Sequence, residues 1–208
     1  MNKLKFIKTY EFENLLLIGG THGDEVSGHH AINSFDFTKY KKMITAINNI
    51  NEYGIKNNKR NDENNIDINR MYGLSDKKIH TNIKEKIRFI ESQVLKADFV
   101  IDFHEAKSGI RSVDKKGIGN TIITQNSHKL ANKIVNNINT KLNKKQKFMI
   151  YCKKKKINHS LRDFCNKNNK RYILVEISKI INHNDRITIA RNIIKTCIDF
   201  IKKLSKIN

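Results

Sequence analysis

The sequence predicts an α/β fold built on a mostly parallel mixed sheet with helices on both faces. Two observations carry this prediction. Short continuous apolar runs, of the length of buried strands, are followed by glycine or polar residues. Between them lie longer segments whose apolar residues recur every three or four positions, as in amphipathic helices. Strands that alternate with helices favour parallel pairing, because each helix carries the chain back to the same end of the sheet.

The predicted elements follow one another in a regular order. Strands are expected at 15–18, 43–47, 99–101, 121–124, 147–151 and 172–177. Helices are expected at about 24–34, 80–96, 128–142, 160–169 and 185–204. The asparagine-rich segment 48–69 is expected to be a long functional or irregular loop. No repeat and no linker-like composition interrupts the pattern, so residues 1–208 are expected to form a single domain.

The composition limits the class of protein. Of the 208 residues 38% are hydrophobic and 29% are charged, which is sufficient for a core and is not typical of disorder. The three cysteines are an odd number without CxxC spacing, which favours a reducing compartment, so we expect a cytoplasmic protein. No apolar run is long enough for a signal peptide or a membrane span, and no membrane association is expected.

The net charge of +21, from 41 basic and 20 acidic residues, leaves two interpretations open. A basic surface attracts acidic substrates, or it binds nucleic acid. The lysines are spread along the chain, and the compact run at Lys153–Lys156 is typical of a solvated loop. Aromatic residues make up only 8%, and no base-stacking motif is present. A non-catalytic nucleic-acid-binding domain is therefore the less favoured alternative.

Residues suited to metal binding follow two of the predicted strands. His22 and Glu25 stand after the first strand, in the segment Gly-Gly-Thr-His-Gly-Asp-Glu, and His104 stands after the third. The carboxyl ends of parallel strands meet at one edge of a sheet, where ligands bind. Two histidines and a carboxylate that leave a fourth position open are a typical catalytic zinc set. The sequence therefore predicts one Zn²⁺ per chain at this edge of the sheet.

Further polar residues accompany this set. Asn69 and Arg70 offer amide donors and a bidentate guanidinium, a combination suited to a substrate carboxylate. Glu176 is a lone carboxylate within the last predicted strand. A His-x-x-Glu pair alone is a weak signal, and its position after a strand and two glycines is what strengthens it.

Taken in order, these segments resemble the zinc carboxypeptidase clan, and within it the succinylglutamate desuccinylase/aspartoacylase family. The family motif reads HGNE, DLNR, DxH and a late Glu. The matching residues here are His22-Gly-Asp-Glu25, Asp67-x-Asn69-Arg70, Asp102-x-His104 and Glu176. The resemblance covers about residues 14–178 and implies a zinc-carboxypeptidase-like fold.

The resemblance implies a role for each matching residue near the metal. His22, Glu25 and His104 would be the zinc ligands. Glu176 would be the general base that takes a proton from water and then the acid that returns it to the leaving amine. Asp102 would accept a hydrogen bond from a zinc-binding imidazole.

The resemblance also implies how substrate binds. Asn69 and Arg70 would anchor a substrate carboxylate. Arg60 is the nearest candidate for the oxyanion-stabilising arginine of the family, although its spacing is looser than the family pattern. The implied activity is hydrolysis of an amide bond next to a carboxylate, in a small acidic N-acyl amino acid. A metallocarboxypeptidase that acts on peptides is the alternative.

Several positions depart from the family pattern. Asp24 replaces the asparagine of the first motif and adds a negative charge, and Glu105 stands where the desuccinylases have a neutral residue. The chain ends soon after Glu176, so the C-terminal β domain of aspartoacylase is expected to be lacking. Arg162 and His159 are candidates for lining the substrate pocket. Tyr151 and Tyr172 match no family tyrosine, and no role is assigned to them.

Overall fold

The computed structural model describes residues 14–151 and 158–204. Six strands form one sheet: β1 Leu15–Ile18, β2 Ile44–Ile47, β3 Phe99–Ala106, β4 Thr121–Thr124, β5 Met149–Ile150 and β6 Arg171–Ser178. Their order across the sheet is β2-β1-β3-β6-β4-β5. Only the β4–β6 pair is antiparallel among these, which confirms the predicted mostly parallel mixed sheet.

Six α-helices accompany these strands within the described residues. They are α1 Ser27–Asn33, α2 Glu52–Asn57, α3 Thr81–Lys96, α4 His128–Asn139, α5 Leu161–Lys167 and α6 His183–Leu204. Short 3₁₀ turns stand at Thr38–Tyr40, Ile68–Arg70, Asp76–Lys78 and Lys144–Gln146. None of the described helices combines the length and the apolar composition that crossing a membrane requires.

The helices cover both faces of the sheet, as predicted. Successive side chains of a strand point to opposite faces, so each strand serves two cores. Leu15, Leu17 and Ile101 pack in a core with residues of α1, α4 and α6. Leu16 and Val100 point the other way and pack in a second core with residues of α3 and α5.

The third strand is longer than predicted. Its apolar run suggested an end near residue 101, but β3 continues to Ala106 and contains His104 and Glu105. The reason is its partner, because β6 pairs with it along the whole length, from Phe99↔Arg171 to Ala106↔Ser178. The ladder of backbone hydrogen bonds therefore extends the strand through polar residues that the apolar pattern excluded.

The prediction of an irregular loop over 48–69 was partly wrong. The segment contains α2 and the 3₁₀ turn at Ile68–Arg70. Asn51 begins α2 by accepting a hydrogen bond from the backbone N–H of Gly54 at 2.8 Å. Asparagine is common in loops, but the side chain of Asn51 caps a helix here.

Two of the three cysteines, Cys165 and Cys197, are buried in the core and free. The third, Cys152, and the lysine run Lys153–Lys156 lie outside the described residues.

Candidate metal centre

The turn between β1 and α1 holds the first two predicted ligands, His22 and Glu25. Gly20 has φ +71°, a left-handed conformation that glycine adopts without strain. A Cβ atom at Gly23 would lie 1.9 Å from the carbonyl carbon of Gly54, so only glycine permits this close approach. The turn therefore packs directly on the backbone of α2.

The structure brings the three predicted ligands together on one spot. Nδ1 of His22 lies 3.0 Å from one carboxylate oxygen of Glu25, and Nδ1 of His104 lies 2.8 Å from the other. The two Nδ1 atoms are 3.1 Å apart. All three side chains are buried, and their ligand atoms lie within 4.8 Å of one another.

The chemistry of this set fits a metal ion. Two imidazole nitrogens that face each other and a carboxylate converge on one point, where they would stabilise a shared cation. Ligand atoms of a tetrahedral zinc site are about 3.3 Å apart when the metal–ligand bonds are about 2.0 Å long. The spacings of 2.8–3.1 Å here are close to that value. His22, Glu25 and His104 are therefore the residues that would hold a metal ion.

Each imidazole has a second carboxylate on its far side. Nε2 of His104 lies 3.1 Å from Oδ2 of Asp102, which is the contact expected for Asp102. Nε2 of His22 lies 3.1 Å from Oδ1 of Asp67, a contact that the sequence motif did not reveal. Such partners fix the orientation of a ligand imidazole and select the tautomer that leaves the other nitrogen for the metal.

Charge pairing shifts the pKa values of the cluster. Burial alone would raise the pKa of Glu25, but His104 and His22 outweigh it and hold that pKa well below its usual range. Burial would lower the pKa of His104, but Asp102 and Glu25 raise it well above the ordinary value. In the absence of metal, the imidazole and the carboxylate therefore form a buried ion pair.

Arg60 lies over the open side of this cluster. Its Nη1 donates to Oε1 of Glu25 at 2.9 Å, and its Nη2 donates to Oδ2 of Asp67 at 3.3 Å. The side chain is 42% exposed. The guanidinium is thus engaged with two carboxylates, one of them a predicted metal ligand.

A cavity of about 360 Å³ lies beside the three predicted ligands. Most of its lining is polar or charged. It is bordered by His22, Glu25, Arg60, Asn69, Arg70, His104, Glu105, Ala106, Lys107, Ser108, Ile118, Arg162, Leu174 and Glu176.

Asn69 and Arg70 occupy the turn that follows Asp67. The backbone N–H of Leu161 donates to Oδ1 of Asn69 at 2.9 Å, so the amide NH₂ group is the part of Asn69 that remains to donate to a ligand. Arg70 is partly exposed, with one guanidinium nitrogen 3.8 Å from Asp67. Both residues line the cavity.

Glu176 borders the same cavity from β6. It stands opposite His104 in the parallel pairing of β3 and β6, so the two side chains point to the same face of the sheet. Neighbouring strands lie about 4.8 Å apart. The structure thus places the predicted base on the strand next to a predicted metal ligand.

A sequence profile of the succinylglutamate desuccinylase/aspartoacylase catalytic domain matches residues 11–149. The chain belongs to this family. The matched segment includes the predicted metal ligands and Asn69–Arg70, and Glu176 lies beyond it. A search of curated proteins found no match.

Solved structures share the family fold. Csd4 of Helicobacter pylori, described as a D,L-carboxypeptidase, superposes with a TM-score of 0.80 at 20% identity, over 92% of this chain and 51% of that one. A candidate metallopeptidase of Shewanella amazonensis superposes with a TM-score of 0.66 at 15% identity, over 91% of this chain and 77% of that one. At these identities the likeness is one of fold, and this chain spans about half the length of Csd4.

The two departures from the family motif are both paired by cations. Oδ2 of Asp24 lies 3.1 Å from Nζ of Lys107 and 3.2 Å from Nζ of Lys179. Oε1 of Glu105 lies 3.3 Å from Nε of Arg186. The extra negative charges are therefore compensated locally.

Of the two residues predicted to line the substrate pocket, one borders the cavity. Arg162 lines the cavity, whereas His159 is not among the lining residues, and its Nδ1 lies 3.3 Å from the carbonyl oxygen of Tyr72. Tyr172, to which no role was assigned, donates from its hydroxyl to Asp102 at 2.8 Å. No local motif signals that contact, because it depends on the alignment of two strands about 70 residues apart.

Proposed function

We propose that this protein is a zinc-dependent hydrolase that cleaves an amide bond next to a carboxylate, with a small acidic N-acyl amino acid as substrate. The observation that carries the proposal is the convergence of two imidazoles and a carboxylate at a polar cavity, with a further carboxylate on the adjoining strand. Membership of the succinylglutamate desuccinylase/aspartoacylase family supports it.

His22, Glu25 and His104 would hold the zinc ion, which supplies Lewis acidity at the scissile carbonyl when it is bound. Asp67 and Asp102 accept hydrogen bonds from the far nitrogens of the two imidazoles. Each imidazole is thereby kept with its Nδ1 lone pair turned toward the metal position.

Glu176 would transfer a proton from the attacking water to the leaving amine. Its carboxylate takes a proton from the attacking water and gives it to the nitrogen of the leaving amine. A general base of this kind contributes about 10²–10⁴-fold to the rate. Its place beside His104 in the sheet supports this role.

Asn69 and Arg70 would bind the substrate carboxylate through the amide NH₂ group and the guanidinium. Arg162 and Lys107 line the same cavity and add positive charge to it. Arg60 would stabilise the oxyanion once the metal replaces it as the partner of Glu25. An acidic substrate is also drawn toward the chain by its net charge of +21.

A metallocarboxypeptidase activity is the second candidate. It is favoured by the fold shared with Csd4, described as a D,L-carboxypeptidase, and by the exposed rim of the cavity, where Lys107 and Arg60 face solvent. A C-terminal peptide residue carries the same carboxylate next to an amide bond. The two candidates therefore differ in what lies on the acyl side of that bond.

The test starts from purified wild type, His104→Ala and Glu176→Gln, each assayed for zinc content and for hydrolysis. We expect about one zinc ion per wild-type chain, loss of zinc in His104→Ala, and retained zinc with activity at least about 100-fold lower in Glu176→Gln. N-acyl amino acids are compared with peptides, and carboxamide versions of each serve as controls that should not react. A wild type that binds no zinc after reconstitution contradicts the proposal.

A further inference from the structure

Tyr172 is a buried tyrosine of β6 that stands behind the candidate metal centre. Its hydroxyl donates to Oδ2 of Asp102 at 2.8 Å, and the same oxygen receives the contact from Nε2 of His104 at 3.1 Å. We infer that Tyr172 is a positioning residue that acts through Asp102 to hold His104 in the orientation and tautomer required for metal binding. The inference rests on the proposed zinc site.

The burial of Asp102 gives this hydrogen bond its importance. Asp102 is fully buried, and its other oxygen, Oδ1, has no hydrogen-bond partner among the described residues. Hydrogen bonds to a buried carboxylate stabilise its charged form, and here water does not replace a lost donor. Without the hydroxyl of Tyr172, the imidazole of His104 would be the one remaining hydrogen-bond partner of this carboxylate among the described residues.

The position of Asp102 decides which nitrogen of His104 faces Glu25. A carboxylate oxygen accepts a hydrogen bond, so this contact requires His104 to carry its hydrogen on Nε2. Nδ1 then faces Glu25 and His22, where the metal would bind. An Asp102 side chain that rotated away would release the imidazole from this arrangement.

The hydroxyl of Tyr172 is a permanent donor. Burial raises the pKa of Tyr172 well above its ordinary value, and the negative charge of Asp102 raises it further. The side chain is 2% exposed and packs in the core on the face of the sheet that carries α3 and α5.

Tyr72 offers a matched control in the same core. It is 1% exposed and packs in the same cluster as Tyr172. Its hydroxyl, however, has no hydrogen-bond partner within the described part of the chain. Replacing either tyrosine by phenylalanine removes one buried oxygen, but only Tyr172→Phe removes a hydrogen bond to Asp102.

The first experiment measures the zinc dissociation constant of wild type, Tyr172→Phe and Tyr72→Phe by competition with a chromophoric chelator. We expect Tyr172→Phe to weaken zinc binding roughly fivefold, less than the 10–100-fold typical of a residue that contacts the ligand directly. Tyr72→Phe should stay within about twofold of wild type on the same reasoning. The d–d absorption bands of the cobalt-substituted protein should shift in Tyr172→Phe alone.

A double-mutant cycle separates positioning from a general loss of packing. In an Asp102→Asn background, Tyr172→Phe should no longer weaken zinc binding, because its route to His104 is gone. An equal weakening in both backgrounds, or in Tyr72→Phe, would overturn the inference. So would a Tyr172→Phe variant with the zinc affinity of wild type, although the proposed function would then stand.

A wild-type measurement tests the same point if Tyr172→Phe does not fold. Nitrogen NMR of the zinc-loaded protein should place the proton of His104 on Nε2, and a proton on Nδ1 would overturn the inference. A wild type that binds no zinc would overturn the inference and the proposed function together.

Discussion

Each of the two histidines of the candidate metal centre contacts an aspartate, but one aspartate is buried and the other is partly exposed. Each Nε2 lies 3.1 Å from an aspartate oxygen. On the His104 side, Asp102 is fully buried and receives the hydroxyl of Tyr172. On the His22 side, Asp67 is 23% exposed and lies beside the guanidinium groups of two arginines.

This difference shows that two contacts of the same length can respond differently to salt and to water. On the His104 side, which we call the sealed side, a neutral hydroxyl donates a hydrogen bond to the aspartate. Salt does not screen this hydrogen bond and water does not replace it. On the His22 side, which we call the open side, exposed guanidinium groups pair with the aspartate. Salt screens these ion pairs and water can replace them. The sealed side should therefore control stability and metal affinity, whereas the open side faces solvent.

The largest expected contrast is in the stability of the metal-free protein. His104→Ala leaves the buried charge of Asp102 without its imidazole, and breaking a buried pair typically costs about 3–5 kcal/mol. His22→Ala leaves Asp67 with its arginine neighbours, so a loss of about 1–2 kcal/mol is expected. Urea unfolding in the presence of a chelator measures both. Equal losses would show that the two sides do not differ.

The next contrast is in zinc affinity. Asp102→Asn should weaken zinc binding by about 10–100-fold, the range for a residue that orients a ligand imidazole. Asp67→Asn should weaken it by less than about tenfold, because water has access to that position. Chelator competition on folded protein gives both values. The comparison fails if Asp67→Asn has the larger effect.

The motif residues on both sides were predictable from sequence, including the contact of Asp102 with His104, whereas the contact of Asp67 with His22 and that of Tyr172 with Asp102 were not. His22, Glu25, Asn69 and Arg70 belong to short local motifs, so their spacing in the chain carries the signal. Tyr172 meets Asp102 only through the pairing of β3 and β6, which places Val100 opposite Tyr172. That alignment is a property of the whole sheet and is not written in any short segment.

The same reasoning explains the errors in the fold. The apolar pattern located the strands, but it ended β3 early because the polar residues of its second half are held by pairing with β6. It also gave no indication of α2, whose first turn is fixed by the capping side chain of Asn51. Both features depend on hydrogen bonds, to which hydrophobic periodicity is blind.

A third contrast appears in the pH dependence of the metal-free protein. The pKa of His104 is raised above 6.5, so its contribution to stability is complete below pH 6.5 and is lost as pH rises through the folded value. The pKa values of Glu25 and Asp67 are lowered from 4.5 and 3.8, so their contributions are complete above those values and are lost only in acid.

The melting temperature of the metal-free protein should therefore fall as pH rises above 6.5, by about 2–4 °C for each kcal/mol lost. His104→Ala should remove this slope, and Asp67→Asn should keep it. Calorimetry with chelator present measures the slope. If the melting temperature of His104→Ala still fell with rising pH, another group would cause the slope. The two sides would then not differ in their pH dependence.

The smallest contrast is in the response to salt. Arg60→Gln removes a partly exposed partner of Glu25 and Asp67, which should reduce stability by less than about 1 kcal/mol, and about 1 M NaCl should abolish that loss. Tyr172→Phe should cost about 1–3 kcal/mol at either salt concentration, because its partner is buried. Urea unfolding at low and high salt compares the two variants, since urea adds no ions of its own. If high salt reduced the stability loss of Tyr172→Phe, Asp102 would have to be accessible to solvent ions. The proposed difference in burial between the two sides would then be wrong.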